Sequence, residues 1–238
     1  MKSSPKLFLL IAFTAAFCYM GVLNVYASQA PTKLIATSKD GKFQYEILGE
    51  NVANPLLILL HGASGPGMGL YREQAEYFAA NGYMVFLPHY FDATKSSSPT
   101  AENYHAWVNV VKTLLSEPNV MVSSGRRKVV LVGYSLGASV ALAAGSQGIA
   151  VNAIAEWYGS LPDDFFYHIQ GMPPLLILHG ERDSTIPVMN AEQLMKLCEI
   201  KHFTCENHVY AGQGHGFLGN DLKDADLRTL AFFSRFTK

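Results

Sequence analysis

The sequence predicts an α/β fold, in which one mostly parallel sheet carries helices on both faces. Three observations support this. Short apolar runs alternate along the chain with longer segments of helical periodicity. Most of these runs, such as Leu56–Leu60, are continuous, which is typical of strands buried on both faces. No internal repeat or long linker divides the 238 residues, so we expect a single domain with one well-buried core.

The predicted elements follow one another in a regular order. Residues 33–38 and 43–48 alternate in polarity and flank Asp40-Gly41, which predicts an antiparallel hairpin. Further strands are expected at residues 56–60, 83–87, 128–132, 153–157, 175–178 and 206–210. Helices are expected at residues 70–81, 102–115, 138–147, 191–199 and 222–236, and the serine-rich residues 93–100 are expected to form a loop.

The amino-terminal residues have the pattern of a targeting segment. Lys2 and Lys6 precede an apolar stretch at residues 7–23, and Val25-Tyr26-Ala27 offers the small residues that a signal peptidase recognises. We therefore predict a signal peptide at residues 1–27 and a mature domain at residues 28–238, which is periplasmic or secreted and has no membrane contact. The alternative is an uncleaved membrane anchor, because about 17 to 20 apolar residues can span a bilayer.

Charge and cysteine content narrow the class of protein further. The 18 basic and 19 acidic residues form no basic stripe, so nucleic acid is not expected as a partner. Cys198 and Cys205 are the two cysteines that follow residue 27. An oxidising compartment permits a disulfide between them, and two buried thiols are the alternative.

The most informative motif is the pentapeptide Gly133-Tyr134-Ser135-Leu136-Gly137. It follows the apolar run 128–132 and precedes a helical run of small residues. A G-x-S-x-G sequence between a strand and a helix is typical of a nucleophile elbow, which lifts a serine above the sheet on a strained turn. The helix that follows directs free N–H groups at the serine. We therefore predict that Ser135 is a nucleophile.

An acid and a histidine follow this serine in the order that such a site requires. Asp183 comes after an apolar strand and a glycine turn, and His215 lies between two glycines after the last strand. The three side chains would lie beyond the carboxyl ends of strands, where sites in parallel sheets form. Glu181 and Asp163 are weaker acid candidates, and a loop histidine without a role is the alternative for His215. No group of histidines has the spacing of a zinc site, so no metal is expected.

An oxyanion hole is predicted from the segment His61-Gly62-Ala63, which directly follows the buried strand 56–60. Sites of this kind combine one N–H after the nucleophile with one from the loop after this strand. We assign these donors to the main-chain N–H groups of Leu136 and Ala63. The alternative is an ordinary glycine-rich turn.

These motifs resemble the α/β-hydrolase superfamily, and most closely its dienelactone hydrolase-like branch. The resemblance extends from residue 56 to residue 217. Its markers are the elbow, His61-Gly62-Ala63, Trp157-Tyr158-Gly159, His179-Gly180 with Asp183, and Gly214-His215-Gly216-Phe217. Membership would imply an eight-stranded α/β-hydrolase fold, Ser-Asp-His chemistry and no cofactor.

The sequence also departs from that branch. Dienelactone hydrolases proper use a cysteine nucleophile, where this chain has Ser135, and a glutamate in the oxyanion loop, where it has Gly62. The two arginines that hold the substrate carboxylate in that branch have no counterpart. We therefore expect a small neutral or aromatic ester, bound by aromatic side chains for which core packing is the alternative: Tyr90, Phe91, Trp157, Tyr158 and Phe217. The short segment 159–171 leaves room for a minimal cap and an open pocket.

The combined interpretation is an exported serine hydrolase, a carboxylesterase that acts through an acyl-enzyme on small-molecule esters. A peptidase or amidase of the same fold is the first alternative. A non-catalytic binding protein on the same scaffold is the second, although such proteins usually lose one of the three reactive side chains.

Overall fold

A computed structural model of the protein describes residues 34–49, 51, 53–117, 121–122 and 125–238. The predicted signal peptide at residues 1–27 lies outside these ranges. No helix within them is both long and apolar enough to cross a membrane.

An eight-stranded sheet forms the centre of the described chain. The strands in chain order are β1 (Leu34–Thr37), β2 (Gln44–Leu48), β3 (Leu56–Leu60), β4 (Met84–Pro88), β5 (Val129–Tyr134), β6 (Ala153–Trp157), β7 (Leu175–Gly180) and β8 (Cys205–Tyr210). They lie side by side in the order β1-β2-β4-β3-β5-β6-β7-β8. Strand β2 pairs antiparallel with β1 and β4, and the other neighbours are parallel. The predicted hairpin and the mostly parallel sheet are confirmed.

Helices cover both faces of this sheet, as the sequence predicts. They are α1 (Gly69–Ala80), α2 (Ala101–Leu114), α3 (Leu136–Ser146), α4 (Asp163–Tyr167), α5 (Met189–Lys201) and α6 (Gly219–Thr237). Helices α1 and α6 pack on one face, and α2, α3 and α5 pack on the other. Strand β3 contributes to both cores, because Leu57 and Leu59 face α1 and α6 while its other leucines and isoleucine face α2 and α3. Two buried faces therefore explain why this strand is apolar throughout.

The sequence patterns missed three short elements. A 3₁₀ helix at Tyr90–Ala93 follows β4, the five-residue helix α4 lies between β6 and β7, and Met121–Val122 pairs with Gly125–Arg126 in a small antiparallel hairpin. Elements of two to five residues are too short to show a helical or strand period. Helix α4 is the cap that the short segment 159–171 allows.

A disulfide joins the end of one element to the start of another. Cys198 in α5 and Cys205 at the first position of β8 are bonded, with Cα atoms 6.2 Å apart. The sequence left this pairing open against two buried thiols. The bond closes the turn that leads from α5 into the last strand of the sheet.

Candidate active site

Ser135 occupies a sharp turn between β5 and α3. Its backbone has φ 55° and ψ −119°, a conformation that is costly for a residue with a side chain. The N–H of Ser135 donates a 2.9 Å hydrogen bond to the carbonyl of Trp157 at the end of β6. Cβ atoms added at Gly133 and Gly137 would collide with backbone atoms, those of α3 in the first case and of β3 in the second. The two glycines are therefore required for this close crossing of strand and helix.

The structure brings Ser135, His215 and Asp183 into one hydrogen-bonded chain. Ser135 Oγ lies 2.7 Å from His215 Nε2, and His215 Nδ1 lies 2.8 Å from Asp183 Oδ2. A carboxylate only accepts hydrogen bonds, so Nδ1 carries the proton and Nε2 is free to accept the serine hydroxyl proton. An arrangement of this kind can activate a serine hydroxyl for attack on a carbonyl carbon.

The carboxylate of Asp183 is fully buried and held by main-chain donors. Its Oδ1 accepts hydrogen bonds from the N–H groups of Thr185 and Ile186, both at 2.8 Å. Its Oδ2 faces His215 and lies 3.5 Å from Nε2 of His179, which is also 2.8 Å from the carbonyl of Ile186. Burial lowers the pKa of His179. A neutral His179 therefore supports the loop that carries Asp183.

His215 is itself positioned by an aromatic neighbour. The ring of Tyr158 meets the imidazole edge-on, with centroids 5.0 Å apart, and also meets the ring of Phe217 at 5.2 Å. Tyr158 has a φ of 48°, which is uncommon for a bulky residue. Burial raises the pKa of its hydroxyl well above the usual range. Tyr158 thus packs against His215, and Phe217 packs against Tyr158.

The two predicted oxyanion donors belong to segments that adjoin Ser135. Leu136 is the first residue of α3, and Ala63 follows the end of β3. Neither N–H donates a main-chain hydrogen bond to another described residue. A Cβ added at Gly62 would lie 3.4 Å from Cβ of Ser135, so the loop passes directly beside Ser135. The N-terminus of α3, which is the positive pole of the helix dipole, lies at the same place.

An open cleft of about 370 Å³ adjoins this oxyanion loop. The residues that line it come from the loop after β3 and from the segment after β4: Ala63, Ser64, Gly65, Phe91, Asp92, Lys95, Ser96 and Ser97. Asp92 and Lys95 form an ion pair at 3.6 Å, which offsets their charges. The cleft is therefore hydroxyl-rich, nearly neutral and has one aromatic side chain.

The five aromatic residues that the sequence offered for a pocket are placed differently. Tyr90, Trp157, Tyr158 and Phe217 are buried in the cores, with exposures of 0, 1, 5 and 5%. Phe91 is half-buried and borders the cleft. Aromatic residues also pack in strands that are buried on both faces and in the segments after them. The aromatic character of a residue therefore could not distinguish a core position from a pocket position.

One buried carboxyl group beside the site escaped the sequence interpretation. Glu156 on β6 is fully buried, and its Oε2 accepts a 2.8 Å hydrogen bond from the N–H of Gly159. Its Oε1 has no partner among the described residues. Burial raises the pKa of Glu156 to about 8, and the bond from Gly159 opposes this. An acid inside the apolar run 153–157 was the signal that could have revealed it.

No group of three or more histidine, cysteine, aspartate or glutamate side chains within the described ranges is arranged to hold a metal ion.

Comparisons with known proteins agree with the observed fold. A profile of the dienelactone hydrolase family matches residues 45–231. Among curated proteins, none matches the chain. Several solved structures share its fold at low sequence identity.

Three of these structures illustrate the similarity. A dienelactone hydrolase structure from Klebsiella pneumoniae has a TM-score of 0.70 at 17% identity and covers 86% of this chain and 100% of its own. A dienelactone hydrolase-like promiscuous phosphotriesterase from metagenomic libraries has a TM-score of 0.72 at 16% identity, covering 88% and 100%. An esterase from Pyrococcus furiosus has a TM-score of 0.69 at 16% identity, covering 89% and 94%.

Proposed function

Because the chain belongs to the dienelactone hydrolase family and is a serine hydrolase of the carboxylic ester hydrolase type, we propose that it cleaves small neutral or aromatic esters with Ser135 as nucleophile. The observation that carries this proposal is the unbroken hydrogen-bonded chain from Ser135 Oγ through His215 to Asp183, at 2.7 and 2.8 Å. These distances suit proton transfer in the resting enzyme.

The proposed reaction has two halves. Ser135 Oγ attacks the ester carbonyl carbon while His215 Nε2 takes the hydroxyl proton. The N–H groups of Leu136 and Ala63 stabilise the oxyanion. As the tetrahedral intermediate collapses, the C–O bond breaks and the imidazolium gives its proton to the departing alcohol. Water then attacks the acyl-enzyme with His215 again as base, which releases the carboxylic acid and restores the serine hydroxyl.

The surroundings of the site support a small uncharged substrate. The cap between β6 and β7 consists of the five-residue helix α4, so the serine stays accessible. The adjoining cleft is lined by Phe91 and three serines, and its two charged side chains form an ion pair. A neutral substrate group fits such a wall, because an anionic group would compete with Asp92 for Lys95.

Substitution of the nucleophile tests the proposal most directly. Ser135→Ala is expected to lower kcat for p-nitrophenyl acetate by at least about 10⁴-fold, because the acyl-enzyme cannot form. Ser234→Ala, which removes a hydroxyl from the exposed side of α6, is the matched control and is expected to retain the wild-type rate. Retained hydrolysis by Ser135→Ala would contradict the mechanism.

We also propose that the protein acts outside the cytoplasm. The predicted signal peptide at residues 1–27 supports this, and the disulfide between Cys198 and Cys205 suits an oxidising compartment. In a bacterial host with an active secretion system, the exported protein is expected to begin at Ser28. Intact-mass measurement of that protein checks the cleavage site, and a protein that retains residues 1–27 would instead indicate an anchor.

A further inference from the structure

Two buried histidines stand at matching places in the fold and take no part in the proton transfer. His61 follows β3 and His179 lies near the end of β7, and each directly precedes a glycine. Both side chains are fully buried. In each ring one nitrogen lies 2.8 Å from a main-chain carbonyl of the following loop, and the other nitrogen has no partner among the described residues. These loops carry the proposed oxyanion donor and the acid.

The protonation state of His61 follows from its surroundings. Its Nδ1 faces the carbonyl of Gly62, which can only accept, so the proton is on Nδ1. Burial lowers the pKa of His61 to about 4, which leaves Nε2 without a proton at neutral pH. The ring is therefore a neutral donor with a fixed tautomer.

Aromatic neighbours prevent this ring from turning. Tyr90 stacks on His61 with centroids 4.2 Å apart and an interplanar angle of 12°, and Phe91 meets the ring edge-on at 4.8 Å. The hydroxyl of Tyr90 also donates a 2.6 Å hydrogen bond to the main-chain carbonyl of His61. Both the ring and the backbone of His61 are held, so its Nδ1–H acts from a fixed position.

The group that His61 holds belongs to the proposed oxyanion donor. The carbonyl of Gly62 and the N–H of Ala63 form one planar trans peptide, in which the two groups point in opposite directions. This carbonyl accepts from Nδ1 of His61 and from the N–H of Gly65, at 2.8 and 3.1 Å. A carbonyl held on one side of the loop fixes the N–H on the other side. A peptide turned by 180° would present its oxygen where the oxyanion forms and would repel it.

We propose that His61 is a positioning residue that holds the peptide between Gly62 and Ala63 in the orientation that serves the oxyanion. The inference rests on the proposed function, because it takes the N–H of Ala63 as an oxyanion donor. In the proposed mechanism, His61 contacts neither the nucleophile nor the substrate. It acts through the carbonyl that it binds.

Three substitutions at His61 separate this role from simple packing. In His61→Asn the amide nitrogen occupies the place of Nδ1, so the hydrogen bond to Gly62 can be kept. His61→Leu has a similar size without a donor, and His61→Gln carries its donor one bond further out. Each variant is assayed with an oxygen ester and with its thionoester, in which sulfur replaces the carbonyl oxygen. Sulfur is a weak hydrogen-bond acceptor, so the ratio of the two rates reports on the oxyanion contact.

The expected results differ between the variants. His61→Leu should lower kcat for the oxygen ester by roughly 100-fold with little change in KM, the usual effect of losing one oxyanion donor. The preference for the oxygen ester over the thionoester should fall by a similar factor. His61→Asn should retain both the rate and the preference. His61→Gln, whose donor is misplaced, should behave like His61→Leu. If the leucine variant does not fold, the glutamine variant is compared with the asparagine variant instead.

Two results would overturn the inference in distinguishable ways. Equal losses on both esters in His61→Leu or His61→Gln, with the preference unchanged, would leave His61 a packing residue while the proposed function stands. A wild-type enzyme with no preference for the oxygen ester would refute the oxyanion assignment itself, and this inference with it.

Discussion

Glu156 is a carboxyl group in the interior of the sheet, and its protonation depends on folding. Burial raises its pKa from 4.5 to about 8 in the folded protein. Between these values the folded protein binds a proton that the unfolded chain releases. The contribution of this group to stability is therefore fully present below about pH 4.5 and is lost as the pH rises to about 8.

Glu156→Gln removes this dependence while it keeps an oxygen for the N–H of Gly159. The variant is expected to match the wild type near pH 4.5 and to be more stable near pH 8 by a few kcal/mol, since each pKa unit corresponds to about 1.4 kcal/mol. Urea unfolding of both proteins at a series of pH values measures the difference.

A second buried acid provides a control for this measurement. Burial raises the pKa of Asp226 on α6 from 3.8 to about 6, so its effect falls in a lower pH window. Asp226→Asn should remove the loss of stability that occurs as the pH rises from about 4 to about 6. It should keep the further loss between about pH 6 and 8 that Glu156 causes. A difference between wild type and Glu156→Gln that does not vary with pH would contradict the assignment to Glu156.

The three residues of the proposed triad are easier to find from the sequence than the residues that surround them. Ser135, Asp183 and His215 each lie in a short motif at the end of a recognisable strand, and the order of the motifs carries the chemistry. The surroundings of His61 and Glu156 depend instead on which rings and peptides pack against them. The contacts of the His61 ring with Tyr90 and Phe91 join distant parts of the chain, so they leave no local pattern.

At the element scale, helices α1 and α6 hold residues that adjoin Ser135. Trp157, whose carbonyl accepts the N–H of Ser135, donates its indole N–H to Thr229 on α6 at 3.1 Å. On the other side of the elbow, the hydroxyl of Tyr134 donates a 2.9 Å hydrogen bond to Gln74 on α1. The two helices on one face of the sheet thus hold the residues on either side of the strained turn.

Thr229→Val tests the contribution of α6. Valine has nearly the same shape but leaves the buried indole N–H of Trp157 without an acceptor, which is expected to cost about 1 to 3 kcal/mol of unfolding free energy. Thr229→Ser keeps the hydroxyl and is the matched control. Urea unfolding compares the variants, and a valine variant as stable as the serine variant would show that this bond contributes nothing.

Element types were predicted more reliably than element ends. Strand β6 was predicted with its observed bounds, whereas α6 begins at Gly219 rather than at residue 222 and β5 continues to Tyr134. The extension of β5 is a consequence of the elbow, because Tyr134 still pairs with Trp157 before the chain turns at Ser135. The periodicity of an apolar run does not contain this information.

At the scale of the whole molecule, the layered architecture was predictable and the assignment of side chains to its faces was not. Alternating strands and helices require a parallel sheet covered on both sides. A strand that is apolar throughout gives no sign of which residues face which helix. Trp157 and Phe217 therefore looked suitable for a pocket, although they pack together in the core against α6 at a centroid distance of 5.4 Å.

The cleft has a consequence for how this protein could change over evolution or in the laboratory. Five of the residues that line it lie in the stretch 91–97, apart from Ser135, Asp183 and His215. Most of the proposed recognition surface is thus separate from the stretches that carry the three proposed catalytic side chains, although Ala63 of the oxyanion loop also borders the cleft. Grafting a foreign stretch at positions 95–97, which leaves Phe91 against His61, offers a route to new selectivity without rebuilding the proposed machinery.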